Sequence, residues 1–184
     1  MTKKELVQEE ERPYRRNLGA DWEKQIIKKC EQYRKQGVAY IHKIPTEFSI
    51  VRRFGKIVGA FPKDKSILDF IGTLADGRSI YIEAKSTQNK TSFPLSLIKD
   101  HQYDFAKEIL SYTDLCFYLI YFRTRNRVYL LHVHKVETFK RKYTRKSLPL
   151  DWIEKFGIEL DVADIDFMKP ILKKYKIKNK EEEL

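Results

Sequence analysis

The feature that most constrains the fold is the stretch from Ser66 to Lys85, which has the pattern of a β-hairpin. Two apolar runs flank Asp76-Gly77, a dipeptide typical of tight hairpin turns. The alternation of side chains along the second run places Glu83 and Lys85 on one face of the predicted strand. The first run carries a single carboxylate, Asp69, so the hairpin carries two acids and a lysine in all.

The length of the turn decides whether Asp69 and Glu83 face each other. A two-residue turn at Asp76-Gly77 pairs Asp69 with Ala84, whose side chain lies on the opposite face from Glu83. A three-residue loop, Ala75 to Gly77 with the glycine left-handed, pairs Asp69 with Glu83. We therefore expect the three-residue loop, or a bulge that shifts the parity by one residue.

The residue types in the hairpin suit metal-dependent phosphodiester hydrolysis. An acid followed by Glu83-Ala84-Lys85 resembles the pattern of the PD-(D/E)xK nucleases. Two carboxylates bind a hard divalent cation such as Mg²⁺, and a neighbouring lysine orients the attacking water. Charged pairs are also common on the solvent face of antiparallel strands. The motif alone therefore leaves a purely structural interpretation open.

The amino-acid composition narrows the classes of molecule that this protein could bind. The chain of 184 residues has a net charge of +11, which favours a polyanion such as DNA, RNA or an anionic membrane surface. Its 42% hydrophobic and 13% aromatic residues indicate a folded globule, most simply one domain. The longest apolar run, residues 115–122, is too short to span a bilayer, and residues 1–13 lack a signal-peptide pattern. We expect a cytoplasmic, nucleoid-associated protein with free thiols at Cys30 and Cys116.

The rest of the pattern predicts an α/β fold. We expect a charged flexible arm at residues 1–13, one domain at 14–176 with a projecting ribbon at about 48–65, and a charged tail at 177–184. Helices are predicted at about 20–36 and 95–112, and strands at 38–44, 115–122 and 128–133. The strand at 115–122 is apolar throughout, which indicates a central position covered on both faces.

Several basic and polar residues are candidates for contact with DNA. They lie near the N-terminus, at the end of the first strand, in the ribbon and in the polar loop after the hairpin: Arg15, Arg16, Lys43, Arg52, Arg53, Lys56, Lys90 and Thr91. The N-terminal cations fit a solvated lead-in equally well. The ribbon is both basic and apolar, so it suits either insertion into a distorted nucleic acid or contacts between two subunits.

Five blocks stand out along the chain, in this order: Asn17-Leu18-Gly19-Ala20-Asp21-Trp22-Glu23, Ile41-His42-Lys43-Ile44-Pro45-Thr46, Asp69-Phe70-Ile71-Gly72, Glu83-Ala84-Lys85 followed by Asn89-Lys90-Thr91-Ser92-Phe93-Pro94, and His101-Gln102. In sequence and in order they resemble the RecU family of Holliday junction resolvases, found in Gram-positive bacteria and their phages, with Leu18 in place of an arginine. The resemblance covers roughly residues 14–160, and the longest of these blocks is the most specific.

The resemblance implies a restriction-endonuclease-like fold, with a mixed central sheet flanked by helices. It implies a homodimeric, Mg²⁺-dependent endonuclease, for which Mn²⁺ substitutes, that cuts two strands of a four-way DNA junction symmetrically in recombination and repair. Carried over by position, Asp69 and Glu83 are metal ligands and Lys85 positions the attacking water. Glu23 and Gln102 support the site, and the ribbon is a stalk that enters the junction. Recombination proteins of the host are further expected partners.

Alternatives remain at this point. Glu23 also suits the first turn of a helix, where the helix dipole favours a carboxylate. A restriction or repair endonuclease acting on linear duplex would share the fold and the acids. A non-catalytic DNA-binding module would share the charge but not the cleavage.

Overall fold

The helices and strands form one mixed sheet covered by helices, with two small accessory sheets. The computed structural model describes residues 3–45, 48–62 and 67–177, with side chains described for 19–45, 50–59 and 67–177. In chain order the elements are α1 (Lys3–Lys35), β1 (Ala39–Lys43), β2 (Phe48–Arg53), β3 (Lys56–Pro62), β4 (Phe70–Leu74), β5 (Ser79–Thr87), β6 (Ser92–Pro94), α2 (Asp100–Ile109), β7 (Cys116–Phe122), β8 (Arg127–His132), α3 (Val133–Lys142), β9 (Ser147–Pro149), α4 (Leu150–Phe156), β10 (Ile158–Leu160) and α5 (Met168–Tyr175).

The main sheet has six strands in the order β1-β4-β5-β7-β8-β10. Strands β5 and β7 run parallel, and the other neighbouring pairs are antiparallel. The chain crosses between the two parallel strands through β6 and α2, because parallel neighbours need a long connection. The predicted α/β class with a mixed central sheet is confirmed.

Each face of the sheet has its own hydrophobic core. One face of β5 and β7 packs with Trp22 and Ile26 of α1 and with Ile171 of α5. The other face packs with Ala106 of α2, Phe139 of α3 and residues of α4. The apolar run in β7 is buried on both faces, as the sequence predicts. Within the described residues, no helix combines the length and the apolar character needed to cross a membrane.

The hairpin has the predicted three-residue loop. Phe70 pairs with Ile82 and Thr73 pairs with Ser79, so the two strands keep one register along this length. At the turn, the Leu74 N–H donates to the Arg78 carbonyl, and Gly77 has a φ of 88°. Glycine adopts that left-handed conformation without steric strain, and the resulting register places Asp69 opposite Glu83.

Strands β2 and β3 form the predicted ribbon as a separate two-stranded sheet. A two-residue turn at Phe54-Gly55 joins them, with φ of 50° and 76°, and the register shifts between Val51 and Arg52. The Phe54 side chain at the tip is fully exposed. The described apolar side chains of the ribbon, including Ile57, are exposed as well, so hydrophobic burial in this domain does not explain their presence.

Two predicted boundaries differ from the structure, and one helix was not predicted. Helix α1 begins at Lys3, where the sequence predicted a start near Ala20, and it continues without a break through Asn17-Leu18-Gly19. The second helix begins at Asp100, because residues 92–97 form β6 and a short 3₁₀ turn. The segment after β8 is helix α3 rather than an unassigned basic stretch. The division into arm, domain and tail stays a prediction, and residues 178–184 lie outside the described ranges.

Replacing Gly72 by alanine should destabilise the protein. A Cβ atom there would lie 2.5 Å from the Tyr40 carbonyl oxygen and 2.7 Å from Ile41 Cα. Both atoms belong to the backbone of β1, which cannot move without disturbing its pairing with β4. We expect Gly72→Ala to lower the free energy of unfolding by about 2–4 kcal/mol, measured by urea denaturation.

Gly19→Ala is the matched control for this substitution. Gly19 lies in α1, and a Cβ atom there would have nothing within 4 Å. We expect the control to stabilise the protein by about 0.5–1 kcal/mol, since alanine has the higher helix propensity. An unchanged urea midpoint for Gly72→Ala would show that β1 accommodates the methyl group.

Candidate active site

The two predicted metal-binding carboxylates interlock at the open end of the β4–β5 hairpin. The Asp69 backbone N–H donates to Glu83 Oε2 at 3.1 Å. In return, the Ala84 backbone N–H donates to Asp69 Oδ2 at 2.9 Å. These reciprocal bonds follow from the hairpin register, because that register sets Asp69 and Glu83 side by side. The pairing predicted from the loop length is therefore present.

Lys85 joins the carboxylates to helix α2. Its ammonium group contacts Glu83 Oε1 as an ion pair and donates to Gln102 Oε1 at 3.1 Å. Gln102 is buried in the first turn of α2, where its Oε1 also accepts the Lys99 backbone N–H at 3.2 Å. The lysine head group is thus held by both Glu83 and Gln102. Gln102 is in place for the supporting role predicted for it, and that role stays a prediction.

Glu23 approaches the site from α1. Its Oε2 lies 3.1 Å from Lys43 Nζ, an ion pair between α1 and the end of β1. Both charges act on Asp69: the Glu23 carboxylate raises its pKa and the Lys43 ammonium lowers it. Lys43, predicted as a DNA contact, is therefore held beside the acids by this ion pair. Glu23 lies beyond the first turn of α1, so the helix dipole does not account for its position.

Burial sets the electrostatics of the two acids. Glu83 is fully buried, and its pKa is raised to about 7, by burial first and by the neighbouring Asp69 charge second, against the opposing effect of Lys85. Burial likewise raises the pKa of Asp69, while the Lys85 ammonium opposes the shift. Two negative charges placed close together in a poorly solvated site repel each other, and a bound cation relieves that repulsion.

Tyr118 is a site neighbour that the sequence reasoning missed. It lies opposite Glu83 in the parallel register of β5 and β7. Its hydroxyl group is buried and has no hydrogen-bond partner among the described residues. Burial and the nearby Cys116 and Glu83 charges raise its pKa above the ordinary range. The pairing of β5 with β7 places Tyr118 beside the site, and no local sequence pattern predicts that pairing.

The oxygen atoms of Asp69 and Glu83 fit a hard divalent cation. Glu83 Oε1 is buried and receives no hydrogen bond from the described residues, although Lys85 contacts it. Within the described ranges, no three His, Cys, Asp or Glu side chains cluster as a metal site. Mg²⁺ needs no such cluster, because it binds through one or two carboxylates and completes its coordination with water and substrate phosphates.

The predicted DNA contacts lie on several elements. Lys90 and Thr91 are exposed in the loop after β5, and Arg52, Arg53 and Lys56 are exposed at the tip of the ribbon. The side chains of Arg15 and Arg16, in the first half of α1, lie outside the described residues. The Thr91 carbonyl accepts the Leu150 N–H, which fixes the loop against the start of α4.

The raised pKa of Glu83 predicts a pH-dependent stability of the protein in chelator. The unfolded glutamate loses its proton near its usual pKa of 4.5, whereas the folded one retains it up to about 7. The folded state therefore binds more protons between these values, so the free energy of unfolding falls as the pH rises through them. We expect a loss of about 2 kcal/mol between about pH 5 and pH 8, measured by urea denaturation.

Glu83→Gln should remove most of that pH dependence, because glutamine carries no charge at either pH. Glu31→Gln, on the exposed side of α1, is the control and should follow the wild-type protein. If Glu83→Gln loses as much stability as the wild type over the same pH range, a different group is responsible.

The comparisons with known proteins agree with the geometry. A profile of the family described as "RecU: Recombination protein U" matches residues 17–174. A protein named Holliday junction resolvase RecU from Geobacillus sp. (strain WCH70) is 35% identical over 171 residues, which cover 86% of this chain and 85% of the relative. Proteins of the same name from Streptococcus mutans serotype c and Streptococcus pneumoniae (strain Taiwan19F-14) are 34% and 33% identical, covering 80% and 78% of this chain and 78% and 76% of the relatives.

The matched region contains the hairpin, α2 and the ribbon, so the candidate site lies wholly within it. Both the extent of the profile match and the identity to the relatives establish the family. The mixed sheet flanked by helices is the nuclease fold expected from the sequence. The chain belongs to the RecU family of recombination proteins.

Proposed function

We propose that this protein is a divalent-metal-dependent endonuclease that resolves four-way DNA junctions. The observation that carries the proposal is the cluster of Asp69, Glu83 and Lys85, in which the lysine is fixed between Glu83 and Gln102. The names of the relatives, each a Holliday junction resolvase, supply the substrate class. The net charge of +11 suits a large DNA substrate.

The reaction is hydrolysis of a phosphodiester bond. Asp69 and Glu83 would hold Mg²⁺, or Mn²⁺ in its place, which supplies positive charge to the scissile phosphate and makes nearby water more acidic. The Lys85 ammonium group donates hydrogen bonds and orients the attacking water towards phosphorus. The water oxygen forms the new bond to phosphorus and gives up a proton to solvent, while the bond from phosphorus to the leaving sugar oxygen breaks and that oxygen takes up a proton from solvent. Gln102 keeps the lysine from turning away.

Two further features support action on a junction. The tip of the ribbon presents exposed Phe54 among Arg52, Arg53 and Lys56, a combination of an apolar ring and cations that suits insertion between unstacked bases. Resolution also needs two incisions, and a homodimer provides two sites related by a twofold axis. We therefore propose a homodimer with one ribbon from each subunit at the junction.

The test is cleavage of a labelled four-way junction compared with linear duplex of equal length, in Mg²⁺ and in chelator. We expect paired symmetrical nicks in the junction alone, lost in chelator. Equal cutting of linear duplex would instead establish a restriction or repair nuclease. Tight junction binding without metal-dependent cutting would leave a binding module.

A further inference from the structure

A basic groove lies beside the candidate active site, on the sheet face covered by α2 and α3. One wall is the segment leading into α2, including Lys99, and the other is the end of α3 and the loop after it. The groove has a volume of about 710 Å³, and its second wall carries Lys140, Arg145 and Lys146. The predicted DNA contacts do not include any of these cations.

The charge of the groove is not balanced by its surroundings. Four cations line it, while Asp100 is its one acid among the described residues. None of the ion pairs among the described side chains uses Lys99, Lys140, Arg145 or Lys146. All four are exposed to solvent. Four like charges gathered in one concave surface attract a polyanion.

The groove is joined to the catalytic residues through Gln102. The Lys99 backbone N–H and the Lys85 ammonium group both donate to Gln102 Oε1, at 3.2 Å and 3.1 Å. The opposite wall is also held in place, because the Leu95 N–H donates to the Lys146 carbonyl at 3.0 Å. A DNA strand that runs past the site on this side therefore meets two walls held in place by these hydrogen bonds.

The groove also offers an aromatic surface. Tyr143 is 47% exposed, and its ring packs against Phe139 and Trp152 with centroids 4.9 Å and 5.8 Å away. Lys140 lies over the ring of Tyr103, 3.4 Å from its centroid. Exposed rings among cations are the pattern that tracks a nucleic-acid strand, since the rings contact sugars or bases while the cations contact phosphates.

We propose that this groove binds the phosphate backbone of the strand that enters the active site, beyond the phosphate that is cut. The inference rests on the proposed function and deepens it, because it assigns a path to the substrate. Lys140, Arg145 and Lys146 make the phosphate contacts, and Tyr143 packs against the neighbouring sugar or base.

The test measures binding of the purified protein to a fluorescent four-way junction, in chelator, between about 50 and 200 mM salt. The variant is Lys140→Gln/Lys146→Gln, and the control is Lys169→Gln/Lys173→Gln on α5, which packs on the opposite face of the sheet. Both double variants remove the same net charge, so they change long-range attraction alike. Only the groove variant removes the proposed contacts.

We expect the groove variant to weaken binding about 10- to 100-fold at about 100 mM salt. The slope of log affinity against log salt should become shallower by about 2, one unit for each lost phosphate contact. The control should keep the wild-type slope. Lys140→Arg/Lys146→Arg should restore the slope as well, which separates lost charge from damaged folding.

Identical slopes for the groove variant and the control, with normal binding by the wild-type protein, would overturn the groove and leave the proposed function intact. A weakened groove variant that arginine does not restore would also overturn it, because the loss would then come from altered structure. Failure of the wild-type protein itself to bind the junction would instead refute the proposed function and the groove with it.

Discussion

Asp69→Asn should abolish incision of the four-way junction, with a fall in rate of about 10³-fold or more, while junction binding is retained. Asparagine keeps the shape of aspartate and an oxygen that accepts the Ala84 N–H, so the hairpin register survives. It loses the negative charge that would attract the proposed divalent cation next to Glu83. A lost contribution of about 4 kcal/mol to the transition state corresponds to this reduction in rate.

Asp76→Asn is the matched control for Asp69→Asn, because it makes the same chemical change in the same hairpin. Asp76 lies in the loop at the far end of the two strands and pairs with Arg78 at 2.7 Å. That exposed pair contributes at most about 1 kcal/mol to stability, so the control should cut at nearly the wild-type rate. Cutting by Asp69→Asn within about tenfold of wild type would remove Asp69 from the proposed metal site.

Lys85→Met should lower the single-turnover rate at saturating protein by about 10²- to 10³-fold. Methionine fills a similar volume but cannot donate to Gln102 or to water, and it carries no charge to oppose that of the phosphate. The defect should lie in the rate at saturation rather than in the concentration needed for binding, because Lys85 is mostly buried behind the site. Rapid-quench measurements with labelled junction separate the two quantities.

Two further variants test whether Lys85 acts through its orientation or through its charge alone. Gln102→Leu should reduce the same rate by about tenfold, since the lysine then keeps its charge but loses the partner that orients it. Lys107→Met, on the exposed side of the same helix, is the control and should behave as wild type. A normal saturated rate for Lys85→Met would reduce the lysine to a counter-charge for the buried Glu83.

The local pattern of the hairpin was sufficient to predict how Asp69, Glu83 and Lys85 are arranged. Alternation placed Glu83 and Lys85 on one face, and the parity argument chose the three-residue loop that the backbone adopts. This worked because a strand repeats every two residues and a turn fixes the register of its two strands. The ribbon was also predicted from local pattern, since its glycines, its proline and its cations interleaved with apolar residues fit no clean helix.

Helix boundaries were predicted less well, for a physical reason visible at two places. Asn17 and Gly19 favour a break in the helix locally, but the helix that packs through Trp22 continues through them. The segment before α2 looks helical by its apolar spacing. Yet Phe93 pairs with Leu148 in a small sheet, which is stabilised by a partner more than fifty residues away.

The sequence by itself determined the hairpin, its register, the acids and lysine that it carries, and the basic character of the surface. Only the tertiary structure decided that Gln102 holds Lys85, that Glu23 pairs with Lys43, and that the cations after α3 form a groove beside the site. The difference is one of range. Strand periodicity and turn geometry act between neighbours in the chain, whereas contacts between distant segments depend on how helices pack across a sheet whose strand order no local pattern specifies.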